Sequence, residues 1–325
     1  MSDSNAISMN AAVTRRDAVK IGVCAAIGAG LGNLFAPQVV AADAGTLPLI
    51  TKSIPSSGEK LPVVGIGTNS FKEAQLDELR TILKRFSELG ASVIDTAASY
   101  GESEQTIGKI LAETGLRSKV FLATKLVGGR AQGGSQVYGK ESLDRSLQRL
   151  NTDHLDLLQV HNMDGLDILW PQLQAWQKAG KIRYIGATTS NSSDHAKMVE
   201  NMKKYPLDFV QVNYSIANRD AADTVFPVAL QRKIGVIVNV PFGGRGGAII
   251  KEANARKLPA WATDIDAQTW PQFLLKYVVS HPAVTVTIAG STQLDHLEDN
   301  QQAERGRLPD AAMRKHMEEH WDSKA

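Results

Sequence analysis

The 325-residue sequence has one cysteine, Cys24, inside an N-terminal segment read below as a cleavable signal. The remainder therefore needs no disulfide chemistry, even in an oxidising compartment. Outside that segment it also lacks any long run of lysine or arginine, and the formal net charge is only +2. Nucleic-acid binding thus has no electrostatic support. A glycine fingerprint of the dinucleotide-binding type is missing as well. Gly28-Ala29-Gly30-Leu31-Gly32 comes near it, but the third glycine should fall at Asn33, and no strand precedes the run. What is present is ordinary globular material, 43% hydrophobic and 22% charged, enough for one large domain or two small ones.

The first segment reads as something apart from the globule. Thr14-Arg15-Arg16-Asp17-Ala18-Val19-Lys20 is a basic start, Ile21–Val40 is weakly apolar, and Val40-Ala41-Ala42-Asp43-Ala44 offers small residues. That is a signal-peptide layout over residues 1–44, with cleavage near Ala42 or Ala44. The paired arginines resemble the twin-arginine export signal, so a folded protein delivered to a bacterial periplasm is expected. An uncleaved membrane anchor is the alternative. Ile21–Val40 is about long enough to span, but its glycines, Asn33 and Gln38 make it a poor transmembrane helix, and no stable membrane insertion is expected.

From residue 45 onward, short apolar runs alternate with amphipathic stretches. The runs begin at Val63, Val93, Val120, Leu155, Tyr184, Phe209, Val236 and Val284. They are continuous and β-branched, as strands of a parallel sheet buried on both faces are. Helical periodicity fills the gaps, for example Leu143, Ser146, Leu147 and Leu150, or Leu166, Leu169, Leu173 and Trp176. Eight runs recurring every ~25–35 residues predict a single-domain α/β fold, the (β/α)₈ or TIM barrel, over residues 45–325. A doubly wound open sheet is the runner-up. One interval, with a loop at about 242–270, is longer than the rest and contains Gly243-Gly244-Arg245-Gly246-Gly247. It reads as a cover over a ligand, since barrels often hold phosphate in their last two loops.

In such a barrel the C-terminal ends of all strands open on one face. The second run ends at Asp95 with Tyr100 in the loop beyond, the third at Lys125, and the fourth at His161. Singly, each has a structural explanation as a helix cap, rim residue, strand-end charge or core histidine. Together they form a site. Asp95 can accompany Lys125 into a buried position, the ammonium can stabilise a phenolate, and Tyr100 then becomes a better proton donor. His161 can orient the same substrate oxygen. A proton donor without a nucleophile or metal beside it suits carbonyl reduction.

This constellation resembles the aldo-keto reductase family. The likeness runs through Val64-Gly65-Ile66-Gly67-Thr68, Asp95–Glu104, Ala123-Thr124-Lys125, Ser142–Leu150, Asp153–His161, Gly180–Gly186 and the stretch from Gly290 to Asn300. The resemblance implies an NAD(P)H-dependent enzyme reducing an aldehyde or ketone, with Tyr100 as proton donor and Lys125, Asp95 and His161 assisting. It further implies that the cofactor is held by Thr188, Thr189, Gln211, Pro241, Gly243, Arg245, Ser291, His296, Asp299 and Asn300. Asn239 departs from the family, standing where a tyrosine usually stacks on the nicotinamide. Gly290 and His296 stand where a cation often grips the 2′-phosphate. Arg245 is a substitute for that cation, so NADPH is expected, with NADH the alternative. The expected partners are a small carbonyl substrate and the twin-arginine export machinery, and the enzyme is expected to be a monomer loaded with cofactor before export.

Three further features bear on the site. His316-Met317-Glu318-Glu319-His320 fits a zinc-protease pattern, but a third ligand is undefined and no metal is expected. Trp261 and Trp270, beside the long loop, are candidates for a pocket wall. Lys125 could instead be the Schiff-base nucleophile of a lyase, or the chain a non-catalytic nicotinamide-binding protein.

Overall fold

The inward face of each barrel strand changes character partway along, and that change positions the site. The structure is a computed structural model that describes residues 47–126, 136–244 and 246–323. The expected signal over residues 1–44 and the expected cofactor residue Arg245 therefore lie outside the described residues. Two short strands come first, β1 (Thr51–Ser53) and β2 (Lys60–Pro62), paired antiparallel. The barrel strands follow: β3 (Val64–Gly67), β4 (Val93–Asp95), β5 (Phe121–Leu126), β6 (Leu155–Val160), β7 (Ile182–Thr188), β8 (Phe209–Asn213), β9 (Gly235–Asn239) and β10 (Val284–Gly290). All are parallel to their neighbours, and β10 pairs with β3 to close the ring. Each expected apolar run is one of these strands.

Side chains alternate between the two faces of a strand. Outward residues such as Ile94, Leu122, Leu158, Ile185, Val210 and Val236 join the apolar stripes of the surrounding helices in one large core. The helix Leu76–Glu88 shows the pattern, burying Leu79, Ile82, Leu83 and Phe86 at helical spacing. Inward residues Val93, Phe121, Ala123, Leu157, Tyr184, Phe209, Ile237, Val286 and Ile288 fill the barrel with a second core. Two positions further along the same face come Asp95, Lys125, Gln159, Gln211 and Asn239. The barrel is thus apolar in its lower layers and polar at its C-terminal mouth.

The hairpin β1–β2 has no counterpart among the sequence expectations. Its strands are three residues each, too short for a pattern, yet Ile54 and Leu61 belong to the inner core. It closes the lower end. Lys52 fastens it there, its Nζ donating to the carbonyls of His281 and Val284 at 2.8 Å each. The long interval after β9 is largely ordered, with the helix Ala248–Asn254, a 3₁₀ segment Ala260–Ile265 and the helix Trp270–Ser280. Trp261 and Trp270 do not wall the mouth. They pack on Phe273, His316, His320 and Trp321, because the helix Ala311–Asp322 brings its aromatic face against them.

Beneath β3 sits a carboxyl with little company. Glu304 is fully buried, one oxygen accepting from the Val64 amide at 3.3 Å and the other without a partner among the described residues. Burial pushes its carboxyl up to about 8. The folded state therefore holds a proton there that the unfolded chain has released above its ordinary carboxylate range. Stability contributed by this group falls as pH rises from about 4.5 toward 8, with a slope of at most about 1.4 kcal/mol per pH unit. Thermal melts of Glu304→Gln across that range will show a flatter pH dependence than wild type, and the variant will gain stability at the alkaline end.

Candidate active site

A chain of buried hydroxyls fixes the turn after β4. Thr68 Oγ1 donates to the Asp95 carbonyl at 3.0 Å, Ser103 Oγ donates to Thr68 Oγ1 at 2.8 Å, and Thr96 Oγ1 lies 2.9 Å from Ser103 Oγ. These hydroxyls are all buried, so each needs such a partner. Glu104 pins the far side, accepting from Thr124 Oγ1 at 2.6 Å and Arg149 Nε at 2.7 Å. Gly101, at φ +59°, lets the chain reverse after Tyr100.

Asp95 and Lys125 are each 1% exposed, and the Lys125 ammonium donates to Asp95 Oδ2. It also donates to the Thr96 carbonyl at 2.9 Å. The other carboxylate oxygen is not idle. Gln211 Nε2 donates to Asp95 Oδ1 at 2.9 Å and Gln159 Nε2 at 3.2 Å. Two buried charges are tolerable only when paired and hydrogen-bonded in this way.

Lys125 Nζ stands 4.9 Å from the centre of the Tyr100 ring, and the His161 ring meets that ring edge-on at 6.0 Å. His161 Nδ1 lies 3.3 Å from Ser99 Oγ. Burial, and then the Lys125 charge, hold the imidazole below its ordinary value of 6.5, so it is neutral near pH 7. The four residues singled out for the chemistry therefore meet in one place. The commitment of Lys125 Nζ to Asp95 and the Thr96 carbonyl disfavours its use as a Schiff-base nucleophile, which needs a free amine.

The expected cofactor residues divide. Thr188 Oγ1 accepts from the Asn162 amide at 3.2 Å, and Thr189 Oγ1 donates to Asp194 at 2.9 Å. Asn239 Nδ2 donates to the Thr189 carbonyl at 2.9 Å and lies 3.4 Å from Gln211 Oε1, while Asn239 Oδ1 is buried without a partner among the described residues. These share the mouth with Asp95. Val240, next along, has φ +47°, a strained setting for a β-branched residue, and Pro241 after it is buried. Gly243 is exposed. Ser291 Oγ donates to the Gln293 carbonyl at 2.8 Å in the turn after β10, Asn300 is buried in the helix Leu294–Gln302, and His296 is exposed on it. Asp299 accepts from Thr269 Oγ1 at 2.9 Å and Gln272 Nε2 at 2.7 Å. It thereby steadies the capped start of the helix Trp270–Ser280.

Gln159 and Ser99 escaped the sequence reading. Gln159 had a usable signal, being a lone amide in the apolar strand Leu155–Val160, on the same face as His161 two residues on. His316 and His320 pack on Trp261, and no group of three metal-ligating residues occurs among the described residues.

Residues 63–322 match the model of the aldo/keto reductase family. The chain is 32% identical over 260 residues to methylglyoxal reductase YeaE of Escherichia coli K12, spanning 77% of this chain and 88% of that protein. It is similar in structure to the holo form of aldo-keto reductase AKR11C1 from Bacillus halodurans. That likeness has a TM-score of 0.68 at 26% identity, covering 84% of this chain and 96% of the other. An aldo/keto reductase from Klebsiella pneumoniae, solved with NADP and acetate, shares the fold at 23% identity. Its TM-score is 0.63, over 84% of this chain and 94% of that one.

Lys125→Met will leave the Asp95 carboxylate buried without its cation. Denaturant titration is expected to show a loss of about 3–5 kcal/mol, and a further Asp95→Asn change should restore part of it.

Proposed function

The chain belongs to the aldo/keto reductase family, and from that premise we propose that it reduces an aldehyde or ketone to an alcohol using NADPH, with Tyr100 as the proton donor. What supports the reading is a phenol held beside a buried, ion-paired ammonium and a neutral histidine at the mouth of a closed barrel.

The donor set also suits a nicotinamide. Gln211 and Asn239 present amides at the mouth, and Asn239 Oδ1 is an acceptor left without a protein partner among the described residues. Thr188, Thr189 and Gln211 would hold the nicotinamide end, with Ser291, His296, Asn300 and Arg245 toward the adenosine phosphate. When bound, reduced nicotinamide supplies a hydride to the carbonyl carbon. The chain's own part is the proton. Tyr100 gives it from the phenol oxygen to the carbonyl oxygen, and the Lys125 ammonium stabilises the phenolate left behind. Asp95 holds the Lys125 ammonium in position. His161, neutral and with its Nδ1 3.3 Å from Ser99 Oγ, donates to the same carbonyl oxygen through Nε2 in the tautomer that carries its proton there. NADPH is proposed over NADH, and the Klebsiella protein of this fold holds NADP. Methylglyoxal, the substrate in the name of the E. coli relative, is a fitting first test compound.

The N-terminal segment is proposed as a twin-arginine-type signal that carries the folded, cofactor-loaded enzyme to the periplasm as a monomer. Among the described residues no helix is long and apolar enough to cross a membrane.

Steady-state assays of Tyr100→Phe with NADPH and an aldehyde panel are expected to show kcat/KM reduced by about 10²–10⁴-fold. NADPH affinity, followed by fluorescence, should be unchanged. A variant as fast as wild type would remove the reductase reading. For export, fractionation of cells expressing an Arg15→Lys, Arg16→Lys double variant should find the protein retained in the cytoplasm, and normal delivery would defeat that proposal.

A further inference from the structure

We propose that Gln159 is a positioning residue for this reaction, holding the Asp95 carboxylate turned toward Lys125. The inference rests on the reductase reading above and adds a residue to it.

Gln159 is fully buried, and its register partners are Lys125 on β5 and Gly186 on β7. Its Nε2 donates to Asp95 Oδ1, the oxygen that Lys125 does not use. Its own Oε1 is buried and has no partner among the described residues. A side chain wanted only for packing has no reason to be this one. Methionine fills nearly the same volume and leaves no orphaned acceptor. Leu157, two residues earlier on the same inward face, shows that the strand packs well with a hydrocarbon there. The fold tolerates an unsatisfied acceptor at position 159 together with a donor aimed at a carboxylate.

Room for that donor is built into the neighbouring strand. A Cβ at Gly186 would stand 3.0 Å from Gln159 Cγ and 3.1 Å from the Phe209 carbonyl oxygen. Any larger residue there would crowd Gln159 against its partners. Gln211 is the second donor on Asp95 Oδ1, but its other end faces Asn239 and it is also assigned to the nicotinamide. Gln159 has no such second duty. It is the donor whose work is confined to the carboxylate.

The ionisable groups facing Asp95 are Lys125 on β5, Tyr100 in its own turn and His161 after β6. Hydrogen bonds to a buried carboxylate fix its orientation as well as stabilising it. Removing one lets Asp95 turn and loosens its hold on Lys125. The effect should therefore appear in kcat rather than KM.

The test compares full-length wild type, Gln159→Met and Gln159→Glu, using NADPH and methylglyoxal. For Gln159→Met the melting temperature, KM and NADPH affinity by fluorescence should match wild type, while its kcat should fall about tenfold. Gln159→Glu sets a second carboxyl beside the first, and should lose more kcat. A wild-type kcat in either variant overturns the inference. So does a loss of kcat that follows a fallen melting temperature, or one matched by an equal rise in KM. If wild type binds NADPH but reduces no aldehyde, the reductase reading fails and this inference fails with it. Normal wild-type reduction with unchanged kcat in the variants overturns the inference alone.

Discussion

An ammonium and a carboxylate taken out of water together set the terms for the rest of this site. Lys125 and Asp95 have almost no contact with solvent, and each isolated ion would cost several kcal/mol to bury. Their attraction offsets that cost only if the remaining lone pairs and protons are also used. The structure meets the condition with the Thr96 carbonyl on one side and the Gln159 and Gln211 amides on the other. The pair, its amides and the turn that carries Tyr100 are thus a single hydrogen-bonded assembly. Removing either ion leaves its partner charge buried and unpaired.

The barrel makes such an assembly affordable because it separates two tasks along one strand face. Lower inward positions are hydrocarbon and aromatic, with Phe121, Tyr184 and Phe209 rings packed on one another. Upper inward positions are polar and face the mouth. Fold stability comes chiefly from the lower layers and the helical shell, so the upper layer is free to carry strained or unsatisfied groups. Val240, Gln159 Oε1 and Asn239 Oδ1 are such groups, and all lie at that end. Stability and chemistry occupy different heights of the same cylinder.

Much of this was legible in the residues. Eight β-branched runs at βα spacing yield all eight barrel strands, because a strand buried on both faces has an unbroken apolar signature. Asp95, Lys125 and His161 were legible because strand ends are the one place in this fold where charge converges. The hairpin Thr51–Pro62 was not, since three-residue strands carry no periodicity. Trp261 and Trp270 misled for a different reason: nearness to a loop in sequence says nothing about which side of a helix an indole faces. The bonds that Asp299 accepts from Thr269 and Gln272 were not legible, since those residues lie 30 and 27 positions away in sequence. Gln159 went unnoticed because a single amide in an apolar strand looks like a harmless exception until its partner is known.

The hairpin beneath the barrel bears on how the chain reaches this state. Lys52 is bonded to carbonyls 229 and 232 positions away, and β3 finds its second neighbour only in β10. Neither the ring nor its base can be completed while the last strand is still being synthesised. A pairing of such long sequence separation carries a large loop-closure cost, so closing the ring is a late step. Until β10 is available, β3 and β9 each keep an unpaired edge.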